Sequence, residues 1–182
     1  LMGQTYARYV LNIPEPSIGL LSNGEEASKG NLLTVAVHRL LVETPGLDFR
    51  GNVEGKDIPL GTVDMVVTDG FTGNIALKTA EGTATLLMET LKRELTANII
   101  RKLAALVLKP AFRDVAKTLD YAEIGGAPLL GVNGTAIISH GRSNAKAIEN
   151  AIGVGIRSSE QRLPERIAER VAETPDHVTS ES

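Results

Sequence analysis

Short apolar runs alternate along the chain with longer stretches whose apolar residues recur every three or four positions, the pattern of buried strands joined by crossover helices. The first residues, with Tyr6, Tyr9 and Val10, read as a helix. Ser17–Ser22 reads as a buried strand and is followed, after a polar loop, by a helix over about Asn31–Glu43. Leu47–Val53 and Val63–Thr68 are predicted as the second and third strands, the latter leading into a helix over Asn74–Leu95. Between Asn98 and Leu119 two shorter amphipathic pieces are predicted, divided at Lys109-Pro110 because proline ends one helix and can open the next. Leu129–Val132 and Thr135–Ser139 flank Asn133-Gly134 as a hairpin or a bulged continuation. Helices follow over Ser143–Ile156 and Pro164–Ala172, the last with Leu163, Ile167 and Val171 on one face. The polar segment from Thr174 to Ser182 is expected to be a disordered tail.

The fold class is therefore α/β. Residues 1–157 are expected to form one α/β portion from which the amphipathic pair 98–119 projects, with a terminal helix over 158–173 and the tail over 174–182. Leu1 before Met2, running straight into a helical pattern, suggests a chain cut inside a larger protein.

Four segments rich in Gly with Asn, Ser, Thr or Lys stand where a strand gives way to a helix or turn. They are Gly24–Asn31, Gly51–Asp57, Asp69–Asn74, and Asn133-Gly134 together with His140–Asn144. In open α/β sheets ligands bind outside the carboxyl ends of the strands, and unpaired N–H groups at a helix start favour phosphate or carboxylate. The same residue types are also the ordinary vocabulary of turns and helix caps. No G-x-x-x-x-G-K-[ST] or G-x-S-x-G occurs, and Gly153-Val154-Gly155 follows a helix rather than a strand. Glu25-Glu26 would serve as an acid/base pair only if both side chains faced one atom, which sequence neighbours seldom do. His140 fits either a general acid or a turn residue.

Composition narrows the classes further. The 182 residues carry a net charge of −3, with three Phe, three Tyr and no Trp, so neither the basic footprint nor the stacking platform of a nucleic-acid binder is present. Without cysteine there are no disulfides, thiolate nucleophiles or Cys-ligated zinc, and His38, His140 and His177 lack metal-ligand spacing, so no metal is expected. The longest apolar run, Leu103–Leu108, is far below the roughly 20 residues that span a bilayer.

Five ordered motifs closely resemble one family, the bacterial phosphate acyltransferases of phospholipid synthesis (PlsX). They are Gly19–Asn31, Phe49–Pro59, Asp64–Lys78, Tyr121 with Gly125–Gly134, and His140–Ile148. The resemblance spans about Met2–Ile156 and, because family members are roughly twice this length, marks the chain as a C-terminal half. It implies a three-layer α/β/α sandwich of the isocitrate/isopropylmalate dehydrogenase type, here incomplete, with a protruding helical hairpin. It also implies a homodimer with no cofactor, and the absence of cysteine suits a cytoplasmic protein. The 98–119 pair, with Ile99, Ile100, Leu103, Leu106 and Val107 on one stripe and Arg101, Lys102, Lys109, Arg113 and Lys117 as a basic flank, is expected either to pack in the dimer interface or, given the lipid-like product that the resemblance implies, to make peripheral contact with an anionic membrane surface. The implied reaction is attack of inorganic phosphate on the thioester of an acyl chain carried by acyl carrier protein. On that resemblance Lys29 is the phosphate clamp, Asn74 the carboxamide donor to phosphate or oxyanion, and His140 a supporting catalytic group. Gly24, Glu25, Gly30, Asn31, Asp69, Gly70, Thr72, Gly73, Asn133, Gly134 and Ser143 would line the substrate site. A phosphotransacetylase-like or other enzyme of the same fold, and an inactive fragment, remain alternatives.

Overall fold

A computed structural model describes residues 1–118, 125–139, 141 and 143–174, with the backbone alone at 116–118. Helix α1 (Met2–Tyr9) leads through Pro16, which is fully buried, into strand β1 (Ser17–Leu21). Helix α2 (Leu32–Glu43) follows, then β2 (Asp48–Val53), the short α3 (Asp57–Leu60), β3 (Met65–Val67) and the long α4 (Gly70–Leu95). These strands make a parallel sheet in the order β2-β1-β3, so β1 is central and the three following loops leave from the same end. Ile18 and Leu20 are buried on one face. On that face His38 of α2 meets Phe49 edge to face, with ring centroids 5.2 Å apart. At the amino end Asp64 ties β1 to the approach of β3, its Oδ2 accepting from the Ser17 N–H (2.8 Å) and Oγ (2.5 Å).

The pairing of β2 with β1 slips once. Between the partners Ile18↔Phe49 and Leu20↔Asn52, β1 advances two residues and β2 three. The extra residue is accommodated around Gly51, whose φ of +94° is open to glycine at little cost. The consequence is a change of phase. Phe49 and Asn52 face the same way, although strict alternation would set them on opposite sides.

A second packing unit lies beside the sheet. Strands β4 (Ala127–Pro128) and β5 (Ile137–Ile138) pair antiparallel as in the hairpin alternative, but the first strand lies ahead of the predicted Leu129–Val132, which falls in the turn instead, and the second keeps only two residues of Thr135–Ser139. Helix α6 (Ala145–Glu160) buries Ala147, Ala151, Val154 and Ser158, and α7 (Leu163–Ala172) buries Leu163 and Ile167. Leu163 and Ile167 join Val10 in a cluster completed by Tyr6 and Leu130.

Two expectations are corrected. The segment after α4 is not split at Pro110, because α5 runs unbroken from Ile99 to Thr118. Proline removes one N–H and crowds the carbonyl four residues back. Stopping at Lys109 and restarting would instead leave the terminal carbonyls and amides of two short helices unpaired, and Ala, Leu, Lys and Arg on both sides favour continuing. The break falls at Thr96–Asn98. There Asn98 Oδ1 accepts from the Arg101 N–H (2.9 Å), and Arg101 reaches back to the Glu94 carboxylate (3.0 Å). The second correction is that α4 begins at Gly70, four residues before the predicted Asn74. Asp69 caps it strongly enough to offset the poor helix propensity of Gly70 and Gly73.

Candidate functional site at the carboxyl end of the sheet

The loops after β1, β2 and β3 converge because their strands are parallel. From β1 the chain runs through Ser22–Gly30 to Asn31, the N-cap of α2, whose Oδ1 accepts from the Thr34 N–H (2.9 Å) and Oγ1 (3.0 Å). Gly30 makes that entry possible. Its φ is +110°, and a Cβ there would stand 2.7 Å from Thr34 Cβ and 3.2 Å from Ser22 Oγ. Gly24 is buried, and a Cβ on it would meet Lys29 Cγ at 2.8 Å, so the lysine stem lies across this glycine. Lys29 is exposed, and no carboxylate pairs with its ammonium among the described residues. Glu25 does have a partner, Lys56, at 3.5 Å. Lys56 is held in turn by Glu54, and these two contacts raise its pKa above the usual lysine value, the bond to Glu54 contributing most.

After β3 the Asp69 carboxylate is fully engaged. Its Oδ1 accepts from the Phe71 and Thr72 N–H groups (2.9 Å each) and its Oδ2 from Thr72 Oγ1 (2.6 Å). The Thr72 hydroxyl bond, followed by the backbone bonds, lowers the Asp69 pKa below its ordinary value. Gly73 allows the first turn to close on the strand end, since a Cβ would meet Thr68 Cγ2 at 2.7 Å. Asn74 therefore sits in the second turn of α4, exposed and with no hydrogen-bond partner among the described residues.

The helix starts thus differ from open anion cradles. Asn31, Asp69 and Asn144 each cap a helix with their own side chain, Asn144 Oδ1 accepting from the Ala147 N–H (2.9 Å). Asp69 adds a negative charge where a phosphate would otherwise be favoured. Among the described residues, the exposed groups left unengaged at this end include the Lys29 ammonium and the Asn74 carboxamide, beside the buried and unpartnered Ser22 Oγ and Asn52 Oδ1.

The other predicted residues lie elsewhere. Asn133 and Gly134 occupy the exposed β4–β5 turn, beyond Gly131, at which a Cβ would meet the Met2 side chain at 3.3 Å. Ser143, just before α6, has a buried Oγ without a partner among the described residues. No hydrogen bond or ion pair among the described residues joins these three to the loops after β1–β3. His140, Tyr121, Arg142 and residues 175–182 of the predicted tail lie outside the described residues. Sequence reasoning gave no role to Asn52, which is buried at the end of β2 and donates to the Glu26 carbonyl at 2.8 Å. Asn52 falls in the Gly51–Asp57 segment singled out above, but β2 also carries Asp48 and Arg50, so a polar residue there gave no signal of its own. Among the described residues, no group of three or more His, Asp or Glu is arranged to hold a metal, and no helix is long and apolar enough to cross a membrane.

The profile of a family described as "Fatty acid synthesis protein" matches residues 1–166. The chain belongs to this family. Its relatives include proteins named phosphate acyltransferase. That of Aliarcobacter butzleri is 51% identical over 178 residues, covering 98% of this chain and 53% of the relative. The Desulforudis audaxviator protein is 56% identical over 154 residues, 85% of this chain and 46% of its own length. The Thermodesulfovibrio yellowstonii protein is 49% identical over 181 residues, all of this chain and 52% of its own length. The chain spans about half the length of the curated relatives it matches.

Proposed function

We propose that this chain supplies the phosphate-holding part of a phosphate acyltransferase, which moves a fatty acyl group from acyl carrier protein to inorganic phosphate and releases acyl phosphate for phospholipid synthesis. The observation that carries the reading is the Lys29 side chain at the carboxyl end of the sheet, its stem lying across Gly24 and its ammonium without a carboxylate partner among the described residues, in a chain about half identical to phosphate acyltransferases.

Phosphate is itself the nucleophile, so the protein needs no serine, cysteine or metal to form the new bond. A phosphate oxygen attacks the thioester carbonyl, the carbonyl oxygen becomes an oxyanion, and the carbon–sulfur bond then breaks to release thiolate. The protein's task is to hold a dianion in line and to stabilise the developing charge. Lys29, with three donors on a compact charge, holds the phosphate. Asn74 offers its N–H donors to phosphate or oxyanion. A thiol of pKa about 8–9 leaves without a strong general acid, so His140 has a supporting part. Gly24, Gly30, Gly70 and Gly73 give the backbone its close approach, while Asn31 and Asp69 act through the helix starts they cap and Thr72 holds the Asp69 carboxylate. Glu25 sets the position of Lys56. Asn133, Gly134 and Ser143 belong to the wall nearer α6.

The incomplete α/β/α sandwich, the homodimer and the peripheral contact with an anionic membrane complete the proposal. Support for a covering surface comes from α4 and α5, where Phe71, Leu86, Ile100, Leu103 and Val107 are exposed beside Arg101, Lys102 and Lys109.

The test uses the extended protein, meaning this chain preceded by the N-terminal half that its relatives possess. Acyl-carrier-protein and acyl-CoA thioesters are supplied with phosphate, and acyl phosphate is measured. Turnover should require phosphate, and Lys29→Ala and Asn74→Ala should each lower it by roughly 10²–10³-fold without unfolding the protein. Near-native turnover in both variants refutes the assigned site.

A further inference from the structure

Three buried side-chain oxygens have no hydrogen-bond partner among the described residues: Ser22 Oγ, Asn52 Oδ1 and Ser143 Oγ. Two of them stand where β1 and β2 end, beside the loop that carries Lys29. Asn52 is the more unusual. It is only 6% exposed, it shares a sheet face with Ile18, Leu20 and Phe49, and a polar amide is kept in such surroundings only when it is bonded. Its single hydrogen bond runs from Nδ2 to the Glu26 carbonyl at 2.8 Å, across 26 residues of sequence. The Lys29 N–H donates to that same carbonyl at 2.9 Å.

The Glu26 carbonyl is thus a joint shared by a buried strand residue and by the backbone of Lys29. Two further constraints bracket it. On the entry side the Ser22 N–H donates to the Val53 carbonyl at 2.9 Å, and on the exit side Gly30 turns at φ +110° into the Asn31 cap. Between those points residues 23–28 are exposed apart from Gly24, so among the described residues Asn52 is the buried side chain that grips the loop from outside, the Glu25–Lys56 pair being exposed.

We infer that Asn52 is a positioning residue, fixing the Glu26–Lys29 turn so that the Lys29 ammonium is presented to phosphate. The inference rests on the reading of Lys29 as the phosphate clamp. Without the Asn52 donor, the turn keeps its internal Lys29–Glu26 bond but loses its anchor to the sheet. Lys29 then samples more positions, which weakens phosphate capture and leaves the thioester's own contacts untouched.

The experiment combines hydrogen exchange with steady-state kinetics on the extended protein. The variants are Asn52→Ala, the near-isosteric Asn52→Asp, Lys29→Ala, and the double variant of Lys29→Ala with Asn52→Ala. The expected result in Asn52→Ala or Asn52→Asp is exchange at the Lys29 amide about tenfold faster, with protection retained in β1 and β2. Phosphate KM should rise about five- to tenfold, the factor carried by one hydrogen bond, with thioester KM unchanged. The double variant should be no worse for phosphate than Lys29→Ala alone, because the anchor acts only through that lysine. If Lys29→Ala raises phosphate KM while both Asn52 variants exchange and bind phosphate as the parent does, this inference falls and the phosphate clamp stands. If Lys29→Ala leaves phosphate KM unchanged, the clamp falls and this inference with it. Global unfolding of both Asn52 variants also overturns it, by assigning the residue to core stability rather than to the loop.

Discussion

Gly30→Ala tests the loop geometry most directly. At φ +110° a residue with a Cβ is held outside its allowed regions, a strain of about 1–3 kcal/mol. The new Cβ would also lie 2.7 Å from both Thr34 Cβ and Cγ2, well inside van der Waals contact. Thr34 cannot simply rotate away, because its N–H and Oγ1 are both held by Asn31 Oδ1. Relief of the clash therefore loosens the α2 cap, which is worth about 1 kcal/mol. Together these give about 2–4 kcal/mol, equivalent to roughly 4–16 °C in the melting temperature of a protein of 150–250 residues and proportionately less in the longer extended protein. Gly55→Ala is the matched control, since a Cβ there meets nothing within 4 Å and no positive φ is required. It should be neutral or gain a few tenths of a kcal/mol from the stiffer unfolded chain. Calorimetry of both variants in the extended protein, alongside phosphate KM, decides the matter. Equal melting temperatures for the two variants would refute the strain argument, and an unchanged phosphate KM in a destabilised Gly30→Ala would separate the loop from phosphate binding.

Three other predictions follow from exposure and charge. The 182-residue chain alone should self-associate and bind a hydrophobic dye, because Leu32 is 92% exposed, Val107 80% and Phe71 77%, and neither α2 nor α4 buries a single side chain. Sedimentation as a dye-silent monomer would contradict this. Replacing Leu103, Val107 and Phe112 by serine should release the extended protein from anionic vesicles in a flotation assay while its turnover on soluble thioesters persists; loss of the dimer instead would assign α5 to subunit packing. Asp69 has a depressed pKa in the folded state, so the stability it contributes is complete above the unfolded value near 3.8 and disappears as pH falls through the lower folded value. The melting-temperature advantage of the parent over Asp69→Asn should accordingly hold at pH 6 and shrink progressively as the pH falls below 3.8, whereas a difference independent of pH would show that the charge is irrelevant to the cap.

Strands β1 and β2 and helices α2, α6 and α7 are legible in the sequence: short apolar runs mark the strands, apolar spacing and an Asn cap agree at α2 and α6, and at α7 the apolar spacing is joined by Pro164 in the first turn. Asn31 and Asn144 fall where the caps are found. Competition between local signals hid the rest. At Asp69–Asn74 two glycines suggested a loop, but one carboxylate bonded to two amides and a hydroxyl outweighs their weak propensity. At Pro110 a local rule predicted an end, yet continuing costs one bond where stopping would expose several. In the site, the exposure of Lys29 followed from its glycine-rich setting. The function of Asn52 did not, because a period-two reading of β2 loses its phase at Gly51 and sets Asn52 on the wrong face.

That same irregularity works as a detent against sliding. A short outer strand in a parallel pair has little besides its side chains to stop it slipping along its neighbour by a residue, and each single-residue slip would exchange its inner and outer faces. In β2 the residue at φ +94° must coincide with the point where three residues oppose two, and only Gly51 tolerates that conformation cheaply. A slip in either direction would push Arg50 or Asn52 into it. The β2 strand can therefore seat in one position only, and whatever its far end holds inherits that alignment.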